Sequence, residues 1–179
     1  PEDVEIFAKI ENEPELWACS STSVPYSRFA IRNFISSTSN DIYADKQVRL
    51  VACRNTDDVA VAFADITDFD PRHKHAQVGI VVFPDHRKHG IGGEVLDILG
   101  EYARRVVDLH VLYALVAKSN EASRRLFASG GYKEVALLPQ WLFSEGKYCD
   151  ALVFEKIFSD KNTHENIIKY ALPWLLTKT

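Results

Sequence analysis

Val78-Gly79-Ile80-Val81-Val82-Phe83-Pro84-Asp85-His86-Arg87-Lys88-His89-Gly90-Ile91-Gly92-Gly93 is the stretch on which the fold turns. Its first six residues are β-branched or aromatic apart from one glycine, the composition of a buried strand, and Pro84 ends the run because it has no N–H to give a ladder. Beyond the glycines, Ile91, Val95, Ile98, Leu99, Tyr102, Ala103 and Val106 recur at the spacing of one helix face. The order is therefore strand, glycine-rich turn, helix packed on a sheet. Glycine lets a backbone approach a ligand closely. The partnerless N–H groups and positive dipole end at the start of such a helix suit an anionic phosphate. The Walker pattern is absent, and the dinucleotide fingerprint fails because Val95 stands where its third glycine belongs. On the glycines alone, a ligand-free turn and a nucleotide-phosphate module are open alternatives.

Working outward, Val48-Arg49-Leu50-Val51-Ala52-Cys53 and Val59-Ala60-Val61-Ala62-Phe63 are two more β-rich runs, parted by the turn-forming Asn55-Thr56-Asp57-Asp58. With 78–83 they read as three consecutive antiparallel strands. Upstream, 1–19 has apolar residues at helical spacing, and Ser27 is placed to cap a second helix through Ile35. Downstream, 110–117 is an apolar strand and 121–129 a helix closed by Gly130-Gly131. Residues 133–138 form a further strand and 141–158 a hairpin turning at Glu145-Gly146. The segment 159–179 reads as an amphipathic helical tail, interrupted near Pro173, that docks on its own domain or joins two copies of the chain.

The 179 residues hold one ordinary domain, and 46% apolar with 26% charged residues excludes disordered and fibrous classes. No run approaches the ~20 apolar residues of a bilayer span, and the acidic start does not resemble a signal peptide, so a cytoplasmic, membrane-free protein is expected. With 21 Lys plus Arg against 25 Asp plus Glu and no basic run, nucleic acid is not an expected partner. Cys19, Cys53 and Cys149 are too far apart for a C-x-x-C site and read as buried thiols. His73 and His75 lack further clustered ligands, so no metal is expected.

Two linked motifs sharpen the reading. Arg87-x-x-Gly90-x-Gly92 after an apolar strand, and Asn120-Glu121-Ala122-Ser123-Arg124-Arg125-Leu126-Phe127-Ala128-Ser129-Gly130-Gly131-Tyr132, together resemble the GCN5-related N-acetyltransferases (GNAT). The resemblance is to the subgroup of ribosomal-protein and spermidine N-acetyltransferases, and it covers most of 1–158. It implies an α/β (α+β) fold: a mixed, mostly antiparallel sheet splayed between two parallel strands, with helices on both faces. The family's first strand would precede Pro1.

The resemblance further implies acetyl-CoA as co-substrate. Ile80, Val81 and Val82 would hold its pantetheine arm through backbone atoms, and the amides of Arg87, Lys88, His89, Gly90, Ile91 and Gly92 would receive its pyrophosphate. Asn120, Ser123 and Phe127 would lie on the far side. The side chains of Arg87, Lys88, Arg124 and Arg125 are equally readable as phosphate partners or as surface charges. The implied reaction is direct acetyl transfer to a primary amine, either a small polyamine or a protein N-terminus. Such an amine has a pKa of about 10 and must lose a proton before it attacks. Asp65 and Asp68 are the candidate bases, with surface solvation or turn capping as their plain alternative, and the backbone N–H of Val81 is the candidate oxyanion donor. Phe127 stands where many relatives have a proton-donating tyrosine. That leaves a rival reading, a catalytically idle acyl-CoA sensor or interaction module, and leaves a homo-oligomer open.

Overall fold

The computed structural model describes residues 4–13, 25–39, 41–144 and 146–158. In chain order the elements are α1 (Val4–Glu11), α2 (Arg28–Ser37), a single turn α3 (Ile42–Asp45), β1 (Val48–Cys53), β2 (Ala60–Asp70) and β3 (His75–Val82). A 3-10 turn (Pro84–His86), α4 (Ile91–Arg105), β4 (Val111–Ala117), α5 (Glu121–Ser129), β5 (Lys133–Ser144) and β6 (Lys147–Ile157) complete them. Six strands form one sheet in the order β1-β2-β3-β4-β6-β5. Every neighbouring pair is antiparallel except β3 and β4, which run parallel through the crossover helix α4. This is the expected mixed sheet with one parallel pair.

Local chemistry sets the element ends. Ser27 caps α2 by accepting the Ala30 N–H at 3.1 Å. Asp70 accepts the N–H groups of Arg72 and His73 at 2.8 and 2.9 Å, turning β2 into β3. That capped turn is only four residues long, so β2 continues through 68–70, residues that the sequence pattern assigns to a loop over 68–75, with a bulge at Asp68 (φ 51°). The turn α3, capped by Asp41, is likewise new. The run 133–138 and the first arm of the hairpin are one strand, β5, with a bulge between Leu138 and Leu142 that accommodates Pro139 at the sheet edge. Cys53 and Cys149 are half-buried rather than buried. Cys19 and the tail 159–179 lie outside the described residues.

Alternation divides the side chains between two cores. Ala62, Ala64, Ile66, Ala76, Val78, Leu112, Ala114, Leu152 and Phe154 face α4 and α5, which contribute Val95, Leu96, Leu99, Ala103 and Phe127. On the opposite face Phe63 and Val81 meet Val4, Phe7 and Ile10 of α1 and Ile31 of α2, with Phe83. Helices thus cover both faces, and residues of odd number on β3, β4 and the part of β2 before its bulge look toward α1 and α2.

Candidate active site

The parallel pair is joined over only three positions, His75 with Val111, Ala76 with Leu112 and Gln77 with Tyr113. Beyond them β3 continues to Val82 against β2, and β4 continues to Ala117 against β6. Residues 78–82 and 114–117 therefore diverge, leaving a wedge in the middle of the sheet that is closed at Gln77 and Tyr113.

Register identifies which main-chain groups face this gap. Phe83 N–H donates to the Val61 carbonyl at 2.9 Å. By alternation Val81 and Gly79 then turn their N–H and C=O to β2, and Ile80 and Val82 turn theirs into the gap. On the other side, Lys118 N–H donates to Asp150 O (3.0 Å) and Phe158 N–H to His110 O (2.8 Å), so Leu115 and Ala117 are the gap-facing residues of β4. Val81 is thereby corrected as the oxyanion donor, since its N–H belongs to the β2 ladder. The first free amide beyond the closed end is that of Ile80.

Both strands feed helices at the open end of the wedge, the place where ligands bind in sheets whose strand order reverses. The turn after β3 is curled by positive φ at Lys88 (65°) and Gly90 (82°). Gly90 caps α4, and its carbonyl accepts from Gly93 at 3.0 Å and Glu94 at 3.3 Å, while the amides of the first helical positions have no intrahelical partner. A Cβ on Gly90 would meet nothing within 4 Å, so the turn is open to a ligand on that side. Gly92 differs: its Cβ would lie 3.3 Å from Leu126 Cδ1 and 3.5 Å from Val82 Cγ2, so this glycine also serves the packing of α4 against α5 and β3.

The Arg87 Nε donates to the Val82 carbonyl at 3.1 Å, pinning the turn to the end of β3. Lys88, His89 and Gly90 are exposed and Arg87, Ile91 and Gly92 half-buried. Across the mouth, the Asn120 side chain caps α5 by accepting Ser123 N–H at 3.1 Å. Arg124 reaches back to the Lys118 carbonyl at 3.4 Å, and its buried Nε has no hydrogen-bond partner among the described residues. An unmatched guanidinium donor in the first turn of α5 suits a polyanionic ligand.

The remaining residues are placed by their contacts and burial. Phe127 is 5% exposed, packed edge-on to Tyr132 (5.2 Å) and stacked on Phe154 (6.2 Å), so its ring is part of the core. Asp65 sits in the fork of Arg49, at 2.7 Å from Nε to Oδ1 and 2.8 Å from Nη2 to Oδ2. Glu11 of α1 closes on the same guanidinium, which lies over the Phe7 and Phe63 rings at 5.6 and 5.4 Å. Burial works against the charge on Arg49, but the hydrogen bonds and charges of Asp65 and Glu11 outweigh it and hold its pKa above the usual arginine value. Asp65 thus has a structural task that ties α1 to the sheet. Trp141 is 59% exposed on the edge strand, two strands from the gap.

Asp68 is exposed at the bulge of β2. Asp68 follows Thr67, which pairs with Gln77 and so lies in register with Tyr113 at the closed end of the wedge; burial first and then the charge of Asp68 raise the Tyr113 pKa. One neighbour there had no sequence signal: Glu155 of β6 pairs directly with Tyr113. Only the register across the sheet shows it.

Comparison with known proteins supports this geometry. The chain superposes on the structure of spermidine N-acetyltransferase from Vibrio cholerae in complex with CoA and spermine with a TM-score of 0.77 at 19% identity, covering 87% of this chain and 90% of that one. In sequence it is 31% identical over 107 residues to the L-amino acid N-acyltransferase MnaT of Escherichia coli (60% of this chain, 61% of that protein). It is 23% identical over 90 residues to the spermidine N(1)-acetyltransferase of Vibrio cholerae (50% and 52%). These alignments span about half to three-fifths of the curated relatives. Among the described residues no helix is long and apolar enough to cross a membrane. The sequence model of the acetyltransferase (GNAT) domain matches residues 1–133. With the two motifs now placed at the mouth of a splayed parallel pair, the chain belongs to the GNAT acetyltransferase domain family.

Proposed function

We propose that this protein is an acetyl-CoA-dependent N-acetyltransferase acting on a primary amine. The observation that carries the reading is the wedge between β3 and β4, with unpaired main-chain groups inside it and two helix starts at its mouth. The relatives' names support it: they include acetyltransferases of spermidine and of amino acids.

The residues present fit acetyl-CoA. Ile80, Val82 and Leu115 offer a strand-like edge to the amide-bearing pantetheine arm. The amides of 88–92 and the guanidinium of Arg124 meet the phosphates. When bound, the carrier supplies an acetyl group activated as a thioester. Ile80 N–H is placed to meet negative charge building on the acetyl oxygen. Asp68, near the closed end and free of the grip that holds Asp65, takes the proton from the incoming ammonium. Phe127 itself has no hydroxyl for the departing sulfur, so the site works chiefly by positioning; a thiolate whose conjugate thiol has a pKa near the cysteine value of ~8.5 leaves without an acid.

The test is thiol release from acetyl-CoA with a panel of diamines, monoamines, amino acids and N-terminal peptides, followed by mass analysis of the amine. Acetylated amine is the expected result. Binding of acetyl-CoA without turnover on any amine would establish the idle-sensor reading, and no binding would overturn both.

A further inference from the structure

Across the closed end of the wedge the sheet carries one continuous polar row. Thr67 of β2 pairs with Gln77 of β3, Gln77 with Tyr113 of β4, Tyr113 with Glu155 of β6, and Glu155 with Lys133 of β5. All five project toward the α1 and α2 face, because Ile66, Ala76, Leu112, Phe154 and Tyr132, their chain neighbours, are in the opposite core. Toward the mouth the next row is Asp65 and Gly79, then Leu115 and Val153, so the polar groups are concentrated at the closed end.

Glu155 is half-buried in this row, and among the described residues it has no side-chain hydrogen bond and no ion pair. It contrasts with Glu11 and Asp65 on the same face, both consumed by Arg49. Leaving a half-buried carboxylate without a partner costs free energy unless a cation joins it. Lys133, directly across, is exposed on the edge strand and not within ion-pair distance. Glu155 therefore stands between the gap and the nearest cation of its own row. Two strand spacings put it roughly 10 Å from the middle of the gap, too far to touch the reacting nitrogen and suited to a second ammonium on the same acceptor.

We propose that Glu155 is the specificity-determining residue for the acceptor: it holds a distal ammonium, favouring amines with a second positive charge and disfavouring those that carry a carboxylate. This rests on the amine-acetyltransferase reading above. Glu155 also lies beyond the residues matched by the family model.

The experiment compares 1,4-diaminobutane, n-butylamine and L-methionine as acceptors for the wild-type chain and for Glu155→Gln, Glu155→Asp and Glu155→Lys, with acetyl-CoA affinity measured by calorimetry. Glu155→Gln is expected to raise KM for the diamine about tenfold or more with kcat and acetyl-CoA affinity within about threefold, and to leave n-butylamine unchanged. Glu155→Asp restores part of the loss, and Glu155→Lys turns the preference toward L-methionine. Equal diamine KM in wild type and Glu155→Gln, or L-methionine as the preferred wild-type acceptor, overturns the proposal and leaves the acetyltransferase reading standing. A wild-type chain that binds acetyl-CoA and acetylates none of the amines overturns both.

Discussion

Asp65→Asn separates a structural carboxylate from a catalytic one. The wild-type side chain is 16% exposed and receives two hydrogen bonds from Arg49, itself 30% exposed. Breaking a fully buried ion pair costs about 3–5 kcal/mol, and the exposure here lowers the expected loss to about 2 kcal/mol, since Asn retains one acceptor. For a chain of this size that is a fall in Tm of roughly 4–8 °C. Arg49→Leu should cost more, because it also strands Glu11 and removes the cation above Phe7 and Phe63. The double variant should lose less than the sum by about 1 kcal/mol or more, the signature of a shared contact. A catalytic base contributes about 10²–10⁴-fold, so the same Asp65→Asn protein discriminates by rate. Our account predicts turnover within about fivefold of wild type and an unaltered pH profile. A Tm within about 2 °C of wild type, or a hundredfold loss of kcat with the rising limb of the pH profile gone, would refute the assignment of Asp65 to structure.

Gly130→Ala places a Cβ 2.6 Å from Leu96 Cδ2, and Leu96 is 1% exposed with nowhere to move. Thermal unfolding should show a loss of about 1–3 kcal/mol, recovered in part by Leu96→Val; a neutral Gly130→Ala would contradict the packing of α4 on the end of α5. Asp150 accepts from the Gln140 N–H and pairs with Lys118, and these contacts, the backbone bond first, hold its pKa below the ordinary value. A lowered folded pKa means stability that is present above the unfolded value of about 3.9 and lost as pH falls through the folded one. Asp150→Asn should therefore melt lower than wild type at neutral pH, with the two curves converging below about pH 3; a gap that persists or widens in acid would reverse the sign of this linkage.

Most of the sheet and its helices were legible because their signals are local. The periodicity of α4, the cap at Ser27 and the hairpin that pairs Ser144 with Lys147 each lie within a few residues of what specifies them. The end of β2 was not, because residues 68–70 carry two aspartates whose strand conformation is imposed by pairing with β3 across a bulge and by the cap at Asp70. At the site, the two motifs located the turn and the α5 cap by residue type alone. What escaped them depends on register. Whether Val81 or Ile80 offers its N–H to the gap is set by the bond from Phe83 to Val61, and nothing in a run of Ile and Val distinguishes the two. Phe127 reads as a site residue by its place in a motif and is a core residue by its contacts with Tyr132 and Phe154. Asp65 loses its candidacy to Arg49, 16 residues away in sequence. Glu155 becomes visible only when four strands are laid side by side.

The wedge is tested most directly by residue-resolved amide hydrogen exchange with and without saturating acetyl-CoA. Ile80, Val82 and Leu115 should exchange readily in the free protein and slow by about tenfold or more on binding, while Gly79 and Val81, already bonded to β2, should be slow in both states. Protection gained at Val81 with none at Ile80 and Val82, or no change at any of these amides while acetyl-CoA is bound, would contradict the account.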